Sequence, residues 1–399
     1  MLTAFLLMCG YSLVKPVRDE VAAAHSDSIS LLWTGTFLVT LLAMPLFGFI
    51  ASRSDRGRLL TLTFRSFLAA FLVFAAVFHL QASGEGERAF AVDGAFYIFV
   101  SVYNLFTLSL FWSVMADLFR SGQGKELFAR ITIGATLGAV AGPALTTSMV
   151  GWLGPSPLLL VSAGLLEVGL RFLRTMAREA DPDHATQPRL GGRAWEGLRL
   201  VLRSPQLRGI CGYLLLMLVV SGFIYRIKAE LASEIPTRAD RTSFYANIEL
   251  IANGITLAMQ ALASGWLMQR RGVGWTLMLL PAFAVLAFGM LGFWMSLTSI
   301  ALVDIMRRCG QYALAKPARE VLFTVLPRQE KYQAKSFVDT FVYRGGDVAV
   351  SWLYDLLAGL GLGLQALSLA VVPSSLLWMV TAGRLGCRHR SLERQESTP

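Results

Sequence analysis

The sequence predicts an all-α membrane protein: twelve transmembrane helices arranged as two six-helix halves. Three observations carry this expectation. The 399 residues are 55% hydrophobic and only 16% charged, against roughly 25% charged in a soluble domain. Apolar runs of about 20 residues recur along the chain, each long enough to cross about 30 Å of hydrocarbon as a helix. The longest polar interval, residues 177–206, divides these runs six and six.

In chain order the first six spans read as 2–23, 30–51, 59–81, 94–117, 128–152 and 156–174. The second six read as 209–228, 243–268, 275–296, 300–324, 336–358 and 361–383. The domains expected are therefore an N-terminal half (1–176), a central loop (177–206), a C-terminal half (207–386) and a tail (387–399). Span one starts at Met1 without the basic leader or the small-x-small cleavage site of a signal peptide, so it counts as a span. Span five carries Gly134, Gly138 and Gly142, a spacing that lets helix backbones pack closely. Arg65, near one end of span three, is placed to snorkel to the interface.

A net charge of +10 raises the question of nucleic acid, and its placement answers it. With the N-terminus inside, about 23 of the 36 Lys and Arg fall in loops on the cytoplasmic side, the asymmetry of the positive-inside rule. Both termini are thus expected in the cytoplasm of a bacterial inner-membrane protein, with no nucleic-acid partner. Cys9, Cys211, Cys309 and Cys387 are scattered, without disulfide or metal-ligand spacing. The run Ser121-Gly122-Gln123-Gly124-Lys125-Glu126 lacks both GxxxxGK[ST] and a preceding strand, so it is no phosphate loop. No enzyme activity, cofactor or metal is expected, and the chain is expected to act as a monomer in the bilayer.

Charge inside the spans points to function. Lys15-Pro16-Val17-Arg18-Asp19-Glu20 interrupts span one, and Lys316-Pro317-Ala318-Arg319-Glu320 interrupts span ten. A fixed charge in hydrocarbon costs at least about 2.5–3.5 kcal/mol, so it persists where it faces water or a partner. Span four carries Asn104, Trp112 and Asp117, and span seven ends with Tyr225, Arg226, Lys228 and Glu230. On span ten, Asp304, Arg308, Tyr312, Lys316 and Arg319 fall within about 120° of arc at 3.6 residues per turn. Asp304 with Arg308 and Lys316 with Glu320 are also i,i+4 pairs. Either these residues contact a substrate or they form an ion-pair ladder, and the residues alone leave both open. Asp339, Arg344 and Asp347 surround Gly345-Gly346 on span eleven, as a gate or as a ligand site. Glu249 is a lone acid in apolar span eight, either a proton-linked or gating carboxylate or a hydrogen-bonded packing partner. A substrate base or ring would find Tyr103, Phe111, Tyr225 or Tyr312 to stack on.

The six-plus-six layout resembles the major facilitator superfamily, which implies that spans one, four, seven and ten line a central cavity. The stretch Gly48, Ser52, Arg53, Asp55, Arg56, Gly57 and Arg58 resembles that superfamily's loop between spans two and three. More specific strings resemble the ATP:ADP antiporter family of plastids and intracellular bacteria. They are Phe111-Trp112-Ser113-Val114-Met115-Ala116-Asp117 with its continuation to Gly142, and Leu314-Ala315-Lys316-Pro317-Ala318-Arg319-Glu320 with Lys335, Asp339, Arg344 and Gly346. Lys316 departs from that pattern where Asp is usual, Asp347 where Lys is, and Ala116 where Asn is. The resemblance implies secondary transport of an anionic phosphorylated solute, with Lys15, Arg18, Asp19, Asn104, Asp117, Arg226, Glu249, Arg308, Tyr312, Lys316, Arg319, Glu320, Arg344 and Asp347 as substrate-binding candidates. Transport of another organic anion or a lipid-like solute on the same fold remains open. So does a non-transporting membrane sensor, although no soluble output domain is visible in the sequence.

Overall fold

The computed structural model describes residues 1–54, 56–82, 89–118, 124–179, 194–262, 264–324 and 337–396, and no strand occurs among them. The helices are α1 (Leu2–Ala24), α2 (Ile29–Arg53), α3 (Arg56–Ala82), α4 (Phe90–Leu118), α5 (Gly124–Leu153), α6 (Pro155–Glu179), α7 (Ala194–Arg203), α8 (Pro205–Ser233), α9 (Arg238–Leu262) and α10 (Ser264–Phe293). They continue as α11 (Leu297–Gly310), a π-turn (Gln311–Ala315), α12 (Lys316–Val321), a second π-turn (Val338–Val342), α13 (Tyr343–Gly359) and α14 (Leu364–Glu396). Eight of these are long and apolar enough to cross a membrane: α2 to α6, α8, α10 and α14. The other four crossings of the twelve-helix fold are α1, α9, α11–α12 and α13, and these carry much of the embedded charge, with α4 and α8 supplying the rest.

Boundaries differ from the sequence expectation in three places. The eighth span ends at Leu262, and residues 264–268 belong to α10. Within α10, Gly272 has φ 78°, a left-handed conformation that costs little without a Cβ, so the helix breaks beside Arg270-Arg271. The expected central loop contains α7, a ten-residue amphipathic helix.

The chain forms two compact units. Unit 1 comprises Met1–Leu190 with Ser233–Asn253, so the first part of α9 packs with α1 to α6. Its centre is the contact of α1 with α5. A Cβ on Gly138 would lie 2.4 Å from the Phe5 carbonyl oxygen, and one on Gly142 2.7 Å from that of Cys9. Backbone therefore rests on backbone, as the glycine spacing predicts. The Thr146 hydroxyl donates to the Leu13 carbonyl (2.7 Å), and the Ser162 hydroxyl to that of Gly10 (2.9 Å), which tie α5 and α6 to α1. Phe71, Phe74 and Phe78 of α3 meet Phe96, Phe99 and Tyr103 of α4 edge-on or tilted, arrangements in which ring edges face ring π clouds.

Unit 2 comprises Gly191–Ala232 and Gly254–Pro399. Its core is built from α8, α10 and α14, with Trp378 fully buried and its ring 5.3 Å from that of Tyr213. In both units the large apolar side chains left exposed, such as Leu42, Trp152 and Leu286, suit contact with lipid tails.

Candidate functional site

The embedded charges gather into a cluster of ion pairs in each unit. In unit 1 they converge from α1, α4 and α9. Lys15 Nζ lies 2.6 Å from Glu249 Oε1, with both side chains largely buried. Glu249 is thus no lone acid; its partner is the lysine of the first cluster. Arg18 donates to Asp19 through Nη2 (2.7 Å) and Nε (3.1 Å), and its guanidinium sits 5.4 Å from the Tyr97 ring centre. Asp93 and Glu20 are 0% and 1% exposed, so each carboxylate needs cationic partners to stay ionised. Arg238 Nη1 lies 2.9 Å from Asp93 and 3.5 Å from Glu20, Arg241 Nε lies 3.3 Å from Glu20, and His25 Nε2 lies 2.9 Å from Asp93.

Sequence reasoning missed the part of this network made by Asp93, Arg238 and Arg241. Each stands within a turn of a helix start, where charge ordinarily faces water. A usable signal was available: Arg238 and Arg241 share one helical face, and α9 has no other nearby cations. Further along α9, the Asn253 amide donates to the Ala139 carbonyl (2.7 Å). Among the remaining candidates, Asn104 Oδ1 is buried without a hydrogen-bond partner, and Trp112 is 38% exposed. The side chains of Asp117 and Asp339 lie outside the described residues. Tyr103 is 0% exposed among Phe67, Phe71 and Phe99, and Phe111 is 3% exposed, so neither offers a free face for stacking. Arg65 lies 3.8 Å from Glu167 and is largely exposed, in keeping with an interfacial position.

In unit 2 the network lies on α8 and the broken spans. Asp304, 2% exposed, pairs with Lys228 of α8 and with Arg307 Nη2 at 2.7 Å. On its own helix it is bonded to the i+3 arginine, and Arg308 acts on it electrostatically. Arg307 also donates to Ser221 Oγ (3.1 Å) and to the Gln311 side chain. Arg226 pairs with Asp355, and its guanidinium lies 4.6 Å from the Tyr354 ring centre, while the Tyr354 hydroxyl donates to Glu230 (2.9 Å).

The continuous polar stripe expected on span ten is interrupted. The i→i+5 turn at Gln311–Ala315 adds one residue, which rotates everything beyond it by about 100° relative to an unbroken α-helix. Tyr312 is consequently 42% exposed and Lys316 is exposed, whereas Asp304, Arg307 and Arg319 are buried. The Gln260 amide donates to the Tyr312 carbonyl within this turn (3.2 Å). Lys316 Nζ stands 5.8 Å from the Tyr312 ring centre, and Glu320 lies 3.6 Å from Arg319, so the expected Lys316–Glu320 pair is not formed. Lys316 and Asp347 do not pair in this conformation either. Tyr343 lies within electrostatic range of Arg307, Tyr312, Arg344 and Asp347, which links α11 to α13. A Cβ on Gly346 would lie 2.5 Å from Leu218 Cδ1, so that glycine serves close packing of α13 on α8.

π-turns are rare and concentrate at functional sites. Here two occur on consecutive charged spans of one unit.

Comparison with known proteins adds a family and a fold. The model of the Major Facilitator Superfamily matches residues 1–315. Among solved structures, a mutant of the nucleoside transporter NupG superposes with TM-score 0.69 at 12% identity, covering 96% of this chain and 98% of that one. A bacterial homologue of the iron transporter ferroportin, in its inward-facing state, gives 0.63 at 16% identity, covering 96% of each chain. A POT family transporter bound to a thioalcohol-conjugated peptide gives 0.64 at 11% identity, again covering 96% of each. No curated protein matches the chain.

Proposed function

Because the chain belongs to the Major Facilitator Superfamily, and is therefore a multi-pass secondary transporter and not an enzyme, we propose that it moves an anionic, phosphorylated organic solute by alternating access. The observation that carries the proposal is an excess of cations over acids on the charged spans of unit 2. In unit 2 the described embedded cations are Arg226, Lys228, Arg307, Arg308, Lys316, Arg319 and Arg344, while the acids are Glu230, Asp304, Glu320, Asp347 and Asp355. In unit 1 Lys15, Arg18, Arg238 and Arg241 are matched one for one by Asp19, Glu20, Asp93 and Glu249. With Asp339 of the same span counted as a sixth acid, the cations still outnumber the acids seven to six, and a surplus of positive charge in a low-dielectric setting favours a ligand that brings negative charge. Arginine suits phosphate or carboxylate because its planar fork donates two parallel hydrogen bonds.

In this reading Arg308, Arg319 and Arg344 bind the anionic group, and Tyr312 and Lys316 flank it at the π-turn. Asp304 holds Lys228 and Arg307 in place and stays paired throughout. The matched pairs of unit 1 act as latches: Lys15–Glu249 and the arginine pairs of Glu20 and Asp93 join residues of 1–176 to residues of 207–386, the two halves proposed to move against each other. Their opening and closing would follow transport. Nucleotides are the first solutes to test, on the resemblance of 111–142 and 311–347 to ATP:ADP antiporters. The membrane proposed is the bacterial inner membrane, with both termini in the cytoplasm.

Counterflow in proteoliposomes tests the function, with ATP, ADP, sugar phosphates and dicarboxylates offered in turn. The expected result is uptake of at least one phosphorylated anion, reduced at least tenfold by Arg319→Ala and by Arg344→Ala in protein that remains folded. Uptake of only neutral or cationic solutes, unaffected by these variants, would overturn it.

A further inference from the structure

A second basic site lies at the end of unit 2, where α8 begins and α14 stops being apolar. Pro205, Gly209, Thr381, Arg384, Leu385 and Arg388 line a cavity of about 770 Å³ there, as do Cys387, Ser391 and Leu392. The two helices are in direct contact at this level, because a Cβ on Gly209 would lie 2.7 Å from Leu385 Cδ2. None of these residues belongs to the networks of α11–α13.

Its chemistry is divided. One wall is apolar, made by Leu385, Leu392 and Pro205. The other presents Arg384 and Arg388, one helical turn apart on the same face. Both arginines are exposed, and neither forms an ion pair with a described residue. Their neighbours behave differently: Arg390 donates to the Gly386 carbonyl and to Cys387 Sγ, and Glu393 lies 3.2 Å from His389. Among the described residues no acidic side chain lines the cavity beside these two guanidinium groups. The amide groups of the first turn of α8, beginning at Pro205, add partial positive charge from the helix dipole.

We propose that this cavity binds the headgroup of an anionic phospholipid. The phosphate would be held by Arg384 and Arg388, and an acyl chain would follow the Leu385 and Leu392 wall into the bilayer. Position supports a lipid over a soluble phosphate. The site sits where the apolar stretch of α14 gives way to its basic end, the depth at which headgroups lie. The proposal is independent of what the transporter carries.

The test uses the purified full chain in neutral detergent. Thermal shift is recorded against increasing phosphatidylglycerol, cardiolipin, phosphatidylcholine and free glycerol phosphate, since a ligand that binds only folded protein raises Tm in proportion to its occupancy. The expected result is a saturable rise with the two anionic lipids and none with phosphatidylcholine. Arg384→Gln with Arg388→Gln should weaken apparent affinity at least tenfold. Ser391→Trp, which fills the cavity without removing charge, should do the same. Arg390→Gln should leave affinity unchanged.

Equal affinity in wild type and the double variant would overturn the proposal. An equal loss on Arg390→Gln would do so too, because it would reveal only a diffuse basic surface. A rise reached by glycerol phosphate alone, with no gain from acyl chains, would assign the cavity to a soluble phosphate instead. If the double variant fails to fold, Ser391→Trp decides: unchanged lipid affinity in that variant would sink the site.

Discussion

Lys15 Nζ and Glu249 Oε1 stand 2.6 Å apart, joining α1 to the first part of α9. Glu249 sits in an otherwise apolar stretch, and both side chains are largely buried, so the ion pair gives each a reason to remain charged. Loss of one member leaves the other, largely buried, without its ion-pair partner, at a cost of about 3–5 kcal/mol. Glu249→Gln and Lys15→Met are each expected to cut uptake at least tenfold, and the exchange Lys15→Glu with Glu249→Lys should recover part of it. Uptake in proteoliposomes, beside melting curves of the same preparations, measures both effects. An exchange no better than the singles would mean that the pair is not what couples these helices.

Asp304 is bonded to both Lys228 and Arg307, so its replacement removes the anionic partner of two cations at once. Asp304→Asn should lower stability by about 3–5 kcal/mol, seen as a large drop in Tm, with loss of uptake following from misfolding. Lys228→Met leaves Asp304 still bonded to Arg307 and should destabilise less. The order of these two melting temperatures is the check.

Lys316 and Asp347 depart from the antiporter pattern in opposite senses, which invites the idea of an exchanged pair. Here Lys316 lies beside the Tyr312 ring and Arg344 is the charged group acting on Asp347. Lys316→Asp combined with Asp347→Lys is therefore expected to show the product of the two single effects on uptake, as independent sites do. Recovery toward wild type in the double variant would reveal a state in which the two residues meet.

Gly138 of α5 faces the Phe5 carbonyl so closely that an added Cβ would fall at 2.4 Å. Gly138→Ala should force α1 and α5 apart and cost about 1–3 kcal/mol, the usual range for overpacking. Gly151, on the same helix, has nothing within 4 Å of an added Cβ, and Gly151→Ala should melt like wild type. Similar melting of both variants would show that the α1–α5 contact has room for a methyl group.

What was legible in the sequence was what depends on local composition. Span number, the polar interruptions of α1 and span ten, and the glycine face of α5 follow from hydrophobicity and helical period. Partner choice was not legible. Glu249 looks isolated because its lysine comes from a distant helix, and Asp304 has three cations within electrostatic reach, of which the fold bonds two. Tyr103 looks available as a stacking ring until α3 supplies the phenylalanines that enclose it. The stripe on span ten failed for another reason: periodicity assumes 3.6 residues in every turn, and no residue type in Gln311–Ala315 announces a wider one.

That wider turn bears on how this chain is compared with its relatives. Position along a sequence and position in space agree only while two helices are wound alike. A relative lacking the extra residue would present a different neighbour to the substrate from Lys316 onward, even where the letters align perfectly. The second π-turn, at Val338–Val342, imposes the same offset before Arg344 and Asp347. Substitutions between homologues on these two spans therefore acquire meaning only after each helix has been unwound to a common phase, and residue-for-residue transfer of roles stops at the bulges.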